Sequence, residues 1–149
     1  MITLSGAEKD LRAYLIDQAR DDTDCLRSYG QIAEATDAKR NLDDPHHSRL
    51  KKRLFRISSY EVEHGRPMLS AIVVHSGDYR PGDGLYELAR QLNRLKGEED
   101  NLVWWNAEVE RITRYWVTHS DDATKDAQFD AVMAELATVQ QMIRTLWRG

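Results

Sequence analysis

Apolar residues recur at spacings of three and four through most of the chain, which is the period of a helix. Leu11, Tyr14, Leu15 and Ala19 form the first such set, with charges on the opposite face. Ser5-Gly6-Ala7-Glu8 precedes them with capping-box spacing, a serine at the cap and a glutamate three residues on. Asp21-Asp22-Thr23-Asp24 interrupts this helix. Ser28 then precedes a short helix, from Tyr29 to about Ala35, whose inward positions are Tyr29, Ile32 and Ala33. Asp43-Asp44-Pro45 is a second start signal, because Asp44 can accept from first-turn amides and Pro45 suits the first helical position. The helix it opens runs to about Glu63 with Leu50, Leu54 and Ile57 on one face, and Gly65-Arg66-Pro67 ends it.

The segment from Leu69 to His75 is short, apolar and β-branched, and predicts the chain's one strand. A turn-rich loop, Ser76 to Gly84, leads to a further helix with Leu85, Leu88, Ala89 and Leu92, for which Asp83 is the expected cap. Two heptad-like seams follow. Leu102, Trp105, Val109, Ile112 and Trp116 make the first; Phe129, Val132, Leu136, Val139, Ile143 and Leu146 make the second. Ser120-Asp121-Asp122 joins them, and so short a connection implies an antiparallel helical hairpin. The predicted architecture is mainly α with a small β element: one unit over residues 5–95, then a C-terminal hairpin over 98–147 that serves dimerisation or partner binding.

Charge changes the picture in one place. The 149-residue chain is acidic, with a formal net charge of -4, yet the helix after Pro45 is crowded with Arg49, Lys51, Lys52, Arg53 and Arg56. At about 100° per residue Arg49, Arg53 and Arg56 fall in one stripe, with Lys52 at its margin and Tyr60 extending it. One side apolar and one side basic is the layout of a helix held to a core and offered to a polyanion, since lysine and arginine release the counterions condensed on a phosphate backbone. The preceding short helix makes a helix-turn-helix, whose second helix enters the major groove. An acidic protein partner and an ordinary solvated face are the alternatives. The acids gather elsewhere, around Asp21–Asp24, Glu98–Asp100 and Asp121–Asp130.

Tyr29-Gly30-Gln31-Ile32-Ala33, a basic helix some twenty residues later and a proline-led strand together resemble the winged-helix DNA-binding domain of alkylguanine alkyltransferases and alkyltransferase-like proteins. The resemblance covers roughly residues 28 to 75. In that family Tyr-Gly-x-Ile-Ala opens the first helix of the helix-turn-helix. Where the family has Pro-Cys-His-Arg at the strand, this chain has Pro67-Met68-Leu69-Ser70, so the nucleophilic cysteine and its activating histidine are both missing. The resemblance therefore implies a winged helix with Arg49, Lys52, Arg53 and Arg56 facing nucleic acid, and no alkyl transfer. It makes the Gly77–Gly84 loop the wing, with Arg80 near its tip.

Other chemistry finds little support. The Gly77–Gly84 loop lies between strand and helix like a phosphate loop, but it lacks a Gly-Lys-Ser/Thr ending and carries Asp78 and Asp83, which repel phosphate. His46 and His47 are adjacent, so in a helix their rings diverge and chelate one ion poorly; reaching phosphates or water suits them better. Ser70, His75 and Asp78 come without a nucleophile elbow. No catalytic residue, metal site or cofactor is expected. Cys25 is the lone cysteine, which excludes an internal disulfide, and Met1-Ile2-Thr3-Leu4-Ser5 has no signal-peptide character; both favour a cytoplasmic location. Trp104 and Trp105 are adjacent and cannot share one seam. With Trp116 and Trp147 they are candidate partner-binding residues, although Trp104 could equally cover the joint between hairpin and N-terminal unit. The reading as a whole is a noncatalytic, dimeric DNA-binding protein. The alternative is a protein–protein interaction module of immunity, antitoxin or adaptor type.

Overall fold

The computed structural model describes residues 1–21, 23–36, 47–119 and 122–148, the last stretch with side chains over 131–147. It is mainly helical with a two-strand sheet. In chain order the elements are α1 (Gly6–Ala19), β1 (Arg27–Ser28), α2 (Tyr29–Thr36), α3 (Ser48–Glu63), a 3-10 turn (Leu69–Ile72), β2 (Val73–Val74), α4 (Asp83–Gln91), α5 (Asn101–Thr118) and α6 (Asp122–Arg148). The chain divides into two compact units, Met1–Thr118 and His119–Gly149.

Local chemistry sets most boundaries of the first unit. The Ser5 hydroxyl accepts from the Glu8 N–H, and the Glu8 carboxylate accepts from the Ser5 N–H, which closes the expected capping box of α1. Ser28 and Gln31 do the same for α2: the Ser28 hydroxyl accepts from the Gln31 N–H at 3.1 Å and the Gln31 side chain accepts from the Ser28 N–H at 2.9 Å. The start signal Asp43-Asp44-Pro45 lies outside the described residues; among those described, α3 begins at Ser48 behind His47. At the other end of α3, Gly65 takes the left-handed conformation (φ 73°). Its N–H donates to Val62 O, and the Arg66 N–H donates to Glu61 O, a Schellman ending. Gly82, not Asp83, is the N-cap of α4; Asp83 sits in the first turn, where a carboxylate suits the helix dipole.

The expected strand from Leu69 to His75 is only two residues long. Leu69–Ile72 winds into the 3-10 turn, and Val73–Val74 alone pairs with Arg27–Ser28, in parallel. The reason is location. This segment runs through the middle of the unit, packed among α1, α3 and α5, where β1 offers only two residues of ladder. Its remaining polar groups find side chains: the Met68 N–H donates to Glu108 Oε2 at 3.2 Å, the Ser70 N–H to Ser58 Oγ at 3.0 Å, and Trp105 Nε1 donates to Ala71 O at 2.8 Å.

Around it stand Leu11, Leu15 and Ile16 of α1, Leu54 and Ile57 of α3, and Ile112 and Trp116 of α5, all buried. The unit therefore extends through α5 to Thr118, past the boundary near residue 98 suggested by the seam pattern. The first seam faces this core through Trp105, Ile112 and Trp116. In the second unit every described side chain of α6 up to Trp147 is exposed.

Two buried carboxylates brace the core. Glu61 accepts from Arg12 Nε and Arg66 Nε, and both guanidinium groups lie over the rings of Tyr60 and Trp116 at 5.4–5.8 Å. The Schellman ending makes this possible by folding Arg66 back beside Glu61. Glu108 accepts from Arg94 Nη2 and Arg111 Nη1, each at 2.8 Å, besides the Met68 N–H. Removing the anion from the first cluster leaves two buried cations facing each other. Glu61→Ala is thus expected to destabilise the unit by about 3–5 kcal/mol, read as a lowered midpoint in urea unfolding; an unchanged midpoint would mean that the cluster contributes nothing net.

Candidate nucleic-acid interface

The apolar side of α3 is fastened to the core through Leu50, Leu54 and Ile57, all buried as the periodicity predicts. The other side carries the cations. Arg49 and Lys52 are exposed and Arg53 is half-buried. Arg56, one turn on, is tied down: its Nε donates to Glu8 Oε2 at 2.7 Å and its Nη2 to Thr3 O at 2.8 Å. It therefore links α3 to the start of α1 while its side chain stays half-exposed.

Tyr60 does not extend the stripe. It is 4% exposed, with Arg12 and Arg66 over its ring and the His64 ring 4.3 Å away. Beyond Arg53, Arg56 is exposed but paired to Glu8, and Tyr60 is buried.

The opposite end of α3 is richer than expected. His46 lies outside the described residues. His47 caps the helix in the left-handed conformation (φ 55°), and its ring stacks on Tyr29 with centroids 6.0 Å apart and planes 16° apart. His75 packs against Tyr29 at 5.3 Å, and Lys51 Nζ stands 5.5 Å from the centre of the same ring. Burial pushes the Tyr29 phenol above the ordinary tyrosine range. Nothing in the spacing of residues 29, 47, 51 and 75 announces this cluster. The parallel register creates it: Ser28 pairs with Val74, so Tyr29 and His75 leave the ladder side by side. Gly82 completes the fit, since a Cβ there would lie 3.0 Å from His75 Nε2.

Arg80 is exposed in the loop that follows β2. The loop closes on itself, with the His75 N–H donating to Arg80 O at 2.9 Å and the Arg80 N–H to Asp78 Oδ1 at 3.1 Å. It passes into α4 through turns, and the described strands pair only with each other, in parallel.

Of the four candidate tryptophans, three are core residues. Trp104 is 3% exposed with Tyr86 edge-on at 6.2 Å; Trp105 donates to Ala71 O; Trp116 is fully buried beside Arg12 and Arg66. They hold α5 to the rest of the first unit. Trp147, 86% exposed on α6, keeps its candidacy. Cys25 is buried and accepts a hydrogen bond from Thr113 Oγ1 at 3.7 Å. Among the described residues no three His, Cys, Asp or Glu side chains stand together to hold a metal ion, and none of the described helices is long and apolar enough to cross a membrane. Comparisons of the chain with protein-family models, curated proteins and solved structures found no match.

The Glu8–Arg56 link sets a pH dependence. Burial raises the Glu8 pKa, but hydrogen bonds from the Ser5 N–H, Arg56 and the Ser5 hydroxyl outweigh it and hold the carboxyl below its ordinary range. A carboxylate with a depressed folded pKa stabilises above its unfolded pKa, and that contribution is lost as pH falls through the folded value. Glu8→Gln should therefore be less stable than the parent near neutrality, with the gap narrowing steadily as the solution is acidified below the ordinary glutamate range. Thermal melts of both chains across that window would show it; a gap independent of pH would contradict the assignment.

Proposed function

We propose that this is a noncatalytic nucleic-acid-binding protein that presents the N-terminal half of α3 to duplex DNA in the manner of a winged-helix unit, with α6 as its oligomerisation or partner interface. One observation carries the reading. Ser48 to Arg56 holds five cations and no acid, on a helix whose apolar side is buried and whose Arg49 and Lys52 are exposed. In a chain of net charge -4 that concentration is a local polarisation of charge.

The surroundings support the same surface. Lys51 and His47 frame the Tyr29 ring at the start of α3, and Arg80 is exposed on the loop that follows His75. In this reading Arg49, Lys52 and Arg53 contact phosphates, and the helix end reaches base edges. Arg56 positions α3 through Glu8 rather than touching the ligand.

The exposed apolar face of α6 favours a second reading, a protein–protein interaction module whose target is another protein. Salt separates the two. Phosphate neutralisation by Arg49, Lys52 and Arg53 gives a log–log salt slope of roughly -3, about -0.9 per contact. Arg49→Ala/Lys52→Ala should weaken random-duplex binding at low salt tenfold or more and lower the magnitude of the slope by about 2. Unchanged binding by this variant would exclude α3 as the interface. A parent chain with no salt-dependent affinity for DNA or heparin would favour the second reading.

A further inference from the structure

Within α6, Val132, Leu136, Val139, Ile143 and Leu146 follow one another at spacings of four, three, four and three, and all are exposed, Val132 to Ile143 by about half and Leu146 by 80%. A seam of that period is the surface by which one helix packs along another. The charges along α6 are unevenly ordered. By sequence, residues 122–135 hold Asp122, Asp126, Asp130 and Glu135 against Lys125, a net of -3 from four acids and one base; residues 136–148 hold Arg144 and Arg148, a net of +2.

We propose that this face is closed by the same face of a second copy of the chain, with the two α6 helices antiparallel. In that orientation Val132 meets Ile143 of the second copy and Leu136 meets Val139, each contact occurring twice by symmetry. Four layers of matched size result, and Leu146 lies outside them. The acidic half of each helix then lies along the basic half of the other, and the helix dipoles oppose. A parallel pair in register would set acidic half beside acidic half and basic beside basic. Met133 and Met142, both exposed, widen the apolar face on either side of the seam, and Glu135 is the one charged residue flanking it between them. A charge-poor flank of this kind gives little repulsion against self-pairing. The two-fold axis of such a pair is isologous, so it closes at two copies.

This deepens the interface half of the proposed function, resting on its assignment of α6 to protein contacts, and it is independent of the DNA-binding half. The full chain, carrying Cys25→Ala to remove the native thiol, should sediment at twice the 17.2 kDa chain mass at tens of micromolar. Leu136→Glu/Val139→Glu should sediment at the single-chain mass while keeping the near-ultraviolet signal of the buried tryptophans, which shows that the first unit remains folded. For orientation, Val132→Cys and Ile143→Cys chains mixed in equal amounts should form a disulfide-linked heterodimer on mild oxidation, and each alone should not. A single-chain mass for the parent overturns the proposal, and so do disulfide homodimers from each cysteine variant alone. The Arg49→Ala/Lys52→Ala chain should keep the doubled mass, so that failure of DNA binding and failure of self-pairing are told apart.

Discussion

A segment with only a short 3-10 turn and a two-residue ladder runs through the middle of the first unit with no exposed side, and its remaining backbone donors and acceptors must be met by other groups. Residues 67–74 are that segment, buried throughout. Glu108 and Trp105 reach it from α5, and Ser58 from α3. Each partner has to arrive at one place in one orientation, so these hydrogen bonds dictate where the two helices lie. An unmet buried amide or carbonyl costs about 1–3 kcal/mol, which makes any other placement of α3 or α5 expensive.

The charged clusters follow from the same arrangement. Glu61 is buried on α3 just before the chain turns into the central segment, and Arg12 of α1 and Arg66 of the helix ending neutralise it. Glu108, buried because it serves the Met68 amide, draws in Arg94 and Arg111. In each case a carboxylate sits at the border between irregular backbone and helix. The candidate interface inherits its geometry from this frame. The two-residue ladder sets Tyr29 beside His75, and the buried side of α3 turns Arg49 and Lys52 outward.

Helices were legible wherever a local rule governed them. The Ser5–Glu8 box, the apolar faces of α1 and α3, and the Gly65 ending are interactions within one or two turns, so spacing alone reveals them. The stretch Leu69–His75 has the composition of a full strand, but β-branched, apolar composition describes a buried extended segment and a buried 3-10 turn equally well. The basic stripe is legible in composition, but the pairing and burial of its far end are not. Arg56 and Tyr60 belong to it by helical angle, yet Glu8 on α1 takes the first, and Arg12 and Arg66 take the second. Trp105 and Trp116 show the same limit: seam position says that a side is apolar, and only packing says what covers it.

By itself the sequence determined periodicities, caps and the local excess of cations, because each depends on residues close together in the chain. It also determined the heptad face of α6, which no long-range contact is needed to define. Tertiary structure decided which cations remain exposed and which tryptophans become core. It also decided which residues gather around Tyr29. Those outcomes depend on pairings between residues tens of positions apart, Ser28 with Val74 and Glu8 with Arg56 among them. No spacing rule reaches across such separations, because the register of a ladder and the partner of a buried charge are settled only when the core closes.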